Sequence, residues 1–170
     1  MSEGADKLNA VLEGLAQLPS DQCWGLSRAD HARQGLHAAC QLEAPALIPA
    51  ARLLLAQGFF LEDVSAADLN EGVLLSYHFD LFDACRRVAL RLLVPRENLT
   101  APSLAGVYTG ADWHEREVFD FFGVVFTDHP NLKPLLLPED LDERPLLKRP
   151  EERRSLYALL PQEHLVRGKP

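Results

Sequence analysis

The chain has 170 residues, 47% of them apolar and 25% charged, which suits one globular domain with room for an appended segment. Acids outnumber Lys and Arg by 25 to 17, and the net charge of −8 argues against a nucleic-acid phosphate backbone as the main partner. Three scattered cysteines, Cys23, Cys40 and Cys85, form no CxxC pair; they fit a reducing compartment and give no ligand set for a zinc or iron–sulfur site.

The opening MSEGADKLNAVLEGL is acidic and has no apolar core of the signal-peptide type. The longest apolar runs are a handful of residues, far short of the roughly 20 that span a bilayer, so a soluble chain is expected. Leu8, Val11, Leu12, Leu15 and Leu18 fall at helical spacing, predicting a helix over 5–18 that Pro19 ends. A short strand is expected around Cys23–Ser27. A second helix is expected over 45–57, where Pro45 suits the first turn, Leu47, Ile48, Ala51, Leu54 and Leu55 form an apolar stripe, and Gly58 stops it.

Strand signals follow. FFLEDVS (59–65) is extended in character. VLLSYHFDL (73–81) alternates Leu75, Tyr77, Phe79 and Leu81 against Ser76, His78 and Asp80, and RRVALRLLVP (86–95) alternates Val88, Leu90, Leu92 and Val94 against Arg87 and Arg91. Two such runs predict an antiparallel hairpin with one solvated face. The fold class expected is α+β, an antiparallel sheet backed by helices. After residue 126 the texture changes: seven of the twelve prolines lie in 129–170, together with many leucines, so an extended tail that needs a surface to lie on is expected. The expected division is a domain over 1–126 and a tail over 127–170.

Residues 111–126, ADWHEREVFDFFGVVF, hold four acids and four phenylalanines. A helix over 111–123 is predicted, with Asp112 as N-cap, Glu115 completing a capping box and Gly123 as C-terminal cap. Asp112, Arg116 and Asp120 share a stripe beside Trp113 and Glu117, so Arg116 can pair with acids a turn away. Four readings stand: a surface helix with ladder salt bridges, a catalytic carboxylate pair, a metal site, and a docking surface. His114-Glu115-Arg116-Glu117 lacks the second histidine of HExxH, since position 118 is Val. There is no phosphate-loop or dinucleotide glycine motif, and no serine in a nucleophile-elbow context. His31, His37, His78 and His164 read as isolated surface or sheet-face histidines, and His129-Pro130 as a turn.

That stretch, followed by TDHPNLKPLLLPEDL, closely resembles the signature of the C-subunit (thirty-kilodalton subunit) family of complex I, the proton-pumping NADH:quinone oxidoreductase. The matching residues are Glu115, Arg116, Glu117, Asp120, Phe121, Phe122, Gly123, His129, Pro130, Leu132 and Lys133, within a resemblance covering roughly residues 45–150. It implies a structural subunit of the hydrophilic arm with no catalytic centre and no cofactor of its own, iron–sulfur clusters belonging to partner subunits. The implied partners are the quinone-site (forty-nine-kilodalton-type) subunit and a small iron–sulfur subunit, at the cytoplasmic side of the inner membrane and reaching the membrane only through those partners. The implied subunit interface comprises these signature residues and Trp113, with Glu115, Arg116, Glu117 and Asp120 in an ion-pair network against the quinone-site subunit and the tail wrapping a neighbour. Lys133 and Leu147 stand where the family usually has arginine. Those departures suit the equivalent subunit of a membrane-bound energy-converting [NiFe]-hydrogenase, which stays open as the alternative.

Overall fold

The computed structural model describes residues 2–160 except 139, 142 and 143. Its first helix, α1 (Ser2–Ala16), buries Leu8, Val11 and Leu15 as its spacing predicts. The second long helix, α3 (Ala44–Ala56), buries Ala46, Leu47, Ala50, Ala51 and Leu54. Both pack on one face of a five-stranded sheet made of β1 (Cys23–Arg28), β2 (Ala38–Leu42), β3 (Phe60–Asp68), β4 (Gly72–Asp80) and β5 (Val88–Pro95), in spatial order β1-β2-β5-β4-β3. Fully burying such a Val, Leu or Phe contributes about 1.5–3 kcal/mol against exposure, and the alternating set Leu75, Tyr77, Phe79 with Val88, Leu90 and Leu92 supplies the centre of this core.

The hairpin expected over 73–95 forms with Tyr77 opposite Leu90 and Ser76 opposite Arg91. At its start Gly72 has φ 155, and a Cβ there would lie 2.1 Å from the Val94 carbonyl oxygen, so only glycine permits this pairing. Every pairing in the sheet is antiparallel except that of β2 with β5, which is parallel with Ala38 opposite Val88. This strand has no alternation to reveal it: all five of its residues are buried, and three are Ala or Cys.

The face expected to be solvated is partly covered. Leu36, Ala39 and Ala89 form one small buried cluster there, below the short helix α2 (His31–Gln34). Leu69, Leu74 and Leu156 form another, with Leu156 contributed by α5 (Leu156–Leu159). Arg91 retains only 8% exposure.

Beyond the sheet, β6 (Thr100–Pro102) and β7 (Val125–Thr127) pair in parallel and flank α4 (Ala111–Phe122). The segment after β7 runs back over its own domain. Leu132 and Leu147 pack on the core, Leu69 bridges to Arg154, and a 3-10 turn, Pro150–Glu152, precedes α5. Residues 161–170 of the expected tail, with His164, lie outside the described residues. Among the described residues no helix is long and apolar enough to cross a membrane.

Candidate functional site around α4

The helix predicted over 111–123 is present, ended by Gly123 in the left-handed region (φ 74), but its beginning differs from expectation. Gly110 is the N-cap and makes no side-chain cap bond; Asp112 sits inside the first turn. Glu115 is therefore not part of a capping box. It points inward, 0% exposed, where Oε2 accepts from Ser103 Oγ at 2.6 Å and Oε1 from the Leu104 amide at 2.6 Å. Burial pushes its carboxyl up to about 7 against the pull of those two hydrogen bonds, and the Asp112 charge adds to the rise. Glu115 thus fastens the segment after β6 to α4.

His129 completes this corner. Its Nδ1 accepts from the Asn131 amide at 3.0 Å, which leaves Nε2 as the protonated nitrogen of the neutral ring. Nε2 lies 3.2 Å from Asp112 Oδ1, 3.2 Å from the Asp112 carbonyl oxygen and 3.8 Å from Glu115 Oε2.

Asp120 is also 0% exposed, one and a half turns along the helix. Its Oδ2 accepts from three successive amides, Leu135 and Leu136 at 2.8 Å and Leu137 at 3.2 Å. Burial alone raises its carboxyl, but the three amides and the Arg144 charge outweigh it and hold the group below the usual range. Arg116 reaches the same strap from the surface: Nε donates to the Lys133 carbonyl at 2.9 Å and Nη2 to the Pro134 carbonyl at 3.0 Å. Arg144 closes over the end of the helix, its guanidinium 5.0 Å above the Phe119 ring.

The residues expected to form an interface therefore divide. Glu115, Asp120 and Phe122 are buried within this chain; Arg116, Phe121, Gly123, His129 and Leu132 are half-buried; Trp113, Glu117, Pro130 and Lys133 are exposed. The ion-pair network expected among Glu115, Arg116, Glu117 and Asp120 does not form within the described residues. Arg116 and Asp120 bond peptide groups of the following segment instead, and Glu115 takes Ser103 Oγ and the Leu104 amide before the helix. An ionised carboxylate facing three fixed amides keeps its charge without the entropy of ordering a long cation.

Two further acids, which no sequence motif singles out, hold the segment after β7. Asp68, 1% exposed, pairs with Arg96 and with Arg153 Nε at 3.0 Å, and accepts from the Lys148 amide at 2.8 Å. Burial opposes its ionisation, but Arg96, the Lys148 amide and Arg153 together hold the carboxyl below its ordinary value. Glu71 accepts from Ser155 Oγ at 2.6 Å and from the Leu156 amide at 3.0 Å. Only the long separation in sequence hid these contacts.

What α4 leaves to solvent is apolar as well as charged. Trp113 is 65% exposed, and Val125, Leu136 and Leu146 are exposed on β7 and the strap. A groove of about 220 Å³ between β3 and α4 is lined by Ser65, Glu117, Phe121 and Leu146, among others. Glu115 and Asp120, both closed off inside the fold, cannot act together as a general acid–base pair on an external substrate.

Comparison with known proteins identifies relatives of the chain. The chain is 46% identical over 72 residues to the C subunit of NADH-quinone oxidoreductase from Roseiflexus sp. (strain RS-1), an alignment spanning 42% of this chain and 41% of that relative. The same figures hold for the C subunit from Roseiflexus castenholzii (strain DSM 13941 / HLO8), so the match covers less than half the length of either relative. Among solved structures, the trypsin-resistant fragment (1-134) of Nqo5 superposes with a TM-score of 0.60 at 26% identity, covering 74% of this chain and 99% of the fragment. A chain of the membrane-bound sulfane sulfur reductase, an archaeal respiratory membrane complex, shares the fold with a TM-score of 0.66 at 20% identity, covering 96% of this chain and 92% of its own. The family described as respiratory-chain NADH dehydrogenase, 30 Kd subunit, matches residues 40–154, from β2 through α4 to the strap, and the chain belongs to that family.

Proposed function

We propose that this chain is a non-catalytic structural subunit of a complex I-type ion-translocating oxidoreductase, docking through the solvent side of α4 on the forty-nine-kilodalton-type subunit that forms the quinone site. The observation that carries this reading is the division of labour on α4. The buried signature acids are occupied in holding the chain's own backbone, while Trp113 on the same helix stands 65% exposed. Tryptophan is enriched among residues whose truncation weakens interfaces most, and a largely exposed indole suits a surface covered in assembly. Family membership supports the setting. The chain supplies no ligand to the redox centres, which belong to partner chains, and it meets the membrane only through them.

The test is incorporation of tagged Trp113→Ala and Trp113→Asp chains into the native complex, followed on native gels together with the thermal stability of each isolated chain. Loss of incorporation with unchanged stability supports docking through α4. Normal incorporation of Trp113→Asp refutes it. A second reading, the same role in an energy-converting [NiFe]-hydrogenase, rests on Lys133 and Leu147 standing where the resemblance calls for arginine.

A further inference from the structure

Where the loops entering β2 and β5 meet, the fold gathers two imidazoles and a thiol. His31 opens α2, His37 immediately precedes β2, and Cys85 lies in the turn before β5. Because β2 and β5 run parallel and start level, Ala38 opposite Val88, the loops entering them are neighbours. The His37 amide donates to the Arg87 carbonyl at 2.8 Å, which ties the loops together. The stacked rings of His31 and His37 have centroids 4.4 Å apart, and His31 Nε2 lies 3.7 Å from Cys85 Sγ. A nitrogen or sulfur ligand atom from each of the three lies within 4.8 Å of the others. Nδ1 of His37 is buried without a hydrogen-bond partner among the described residues.

From this geometry we infer that His31, His37 and Cys85 form a binding site for one divalent transition-metal ion, Zn²⁺ in the first place. In a tetrahedral site with Zn–S of about 2.3 Å and Zn–N of about 2.0–2.1 Å, neighbouring S and N ligands stand about 3.6 Å apart and two N ligands about 3.3 Å. The observed thiol–imidazole distance already matches, and rotating the imidazoles out of their stack by about an ångström closes the set. One thiolate with two imidazoles is a donor set that favours zinc or copper over magnesium or calcium. His31 and Cys85 are exposed, which gives the ion a way in.

Asp80 accepts from the Leu81 and Arg86 amides at 2.8 and 2.6 Å, which fixes the turn that presents Cys85, and its other oxygen lies 3.6 Å from Sγ. Of the neighbouring cations, Arg86 donates to the Cys85 carbonyl at 2.7 Å, and Arg87 pairs with Glu62 at 2.6 Å and lies 3.9 Å from the same Asp80 oxygen. On binding, Cys85 gives its proton to solvent as the sulfur–metal bond forms and both imidazoles bind neutral, with the Asp80 carboxylate beside the thiolate offsetting part of the remaining positive charge. The ion clips the loop of α2 to the β4–β5 turn. His31 and Cys85 are 54 residues apart, so no short motif announces the site.

The test uses the full chain, metal-stripped and reduced, titrated first with Co²⁺ and then with Zn²⁺. The expected result is one equivalent of Co²⁺ with a thiolate-to-cobalt charge-transfer band that Zn²⁺ displaces. Cys85→Ser abolishes the band, His31→Gln and His37→Gln weaken binding at least about tenfold, and Cys23→Ser leaves both unchanged. Failure to bind a stoichiometric equivalent, a band that survives Cys85→Ser, or a band lost in Cys23→Ser each overturns the assignment.

Discussion

Replacing Asp120 by alanine tests whether the strap is held from inside the domain. The carboxylate is the shared acceptor for the amides of Leu135, Leu136 and Leu137. Leu136 is exposed, so its amide rehydrates at little cost, whereas those of half-buried Leu135 and Leu137 lose an acceptor with poorer access to water. An unsatisfied buried donor costs about 1–3 kcal/mol, which puts Asp120→Ala at about 2–4 kcal/mol once partial hydration is allowed for. For a chain of this size that lowers Tm by about 5–15 °C. Asp120→Asn, which keeps an acceptor but loses the charge, should cost about half as much, since charge-assisted bonds are about twice as strong as neutral ones. Calorimetry gives the first number, and amide exchange at Leu135–Leu137 locates the effect. The opposing term is real: Asp120 Oδ1 is buried with no hydrogen-bond partner among the described residues, so part of the acid's burial cost is removed with it. If Tm moves by less than about 2 °C and exchange at these amides is unchanged, that cost cancels the bonds, and Asp120 does not hold the strap.

Other outcomes follow from the same geometry. Glu115, pushed up to about 7, keeps its proton in the fold at pH values where the unfolded chain has released it, so stability should fall as pH rises from about 4.5 to about 7. Denaturant unfolding at several pH values should show a loss on the order of 3 kcal/mol over that window, absent in Glu115→Gln. Asp68, Glu71 and Asp120 are shifted the other way: their stabilisation is complete above the unfolded carboxylate range of about 4 and is lost as pH falls through the lower folded values. Limited proteolysis under acid conditions should therefore open the chain within 132–156 before the sheet. Gly72→Ala must displace the Val94 carbonyl or bend β4, and should destabilise by about 2 kcal/mol or more, measurable as a shift in the urea midpoint.

The elements that the sequence revealed are those with a strong period. In α1 and α3 apolar residues recur once per helical turn, and in β4 and β5 they alternate, because one face meets the core and the other does not. The parallel strand β2 escaped because burial on both sides removes the alternation, and Ala-Ala-Cys is also composed of small residues that fit any element. Residues 111–123 were legible as a helix, but the partners of its acids were not. The pattern Asp112-x-x-Glu115 satisfies a capping box on paper, and only the approach of Ser103 and Leu104 shows where the carboxylate goes. Likewise, prolines and leucines after residue 126 said that the segment needed a surface. That the surface includes its own domain depends on Asp68 binding Lys148 and Arg153, and on Glu71 binding Ser155, pairs far too distant along the chain for any local pattern to connect.

The central claim is membership of a complex through the solvent side of α4. Gentle purification from native membranes through a tag on this chain, followed by cross-linking and mass spectrometry, tests it most directly. A quinone-site subunit of the forty-nine-kilodalton type should appear in the purified material, with cross-links to it from Lys133, an exposed lysine whose carbonyl is bonded by Arg116 of α4. Recovery of the chain alone from soluble extract, or cross-links that avoid this side of the molecule altogether, would contradict it.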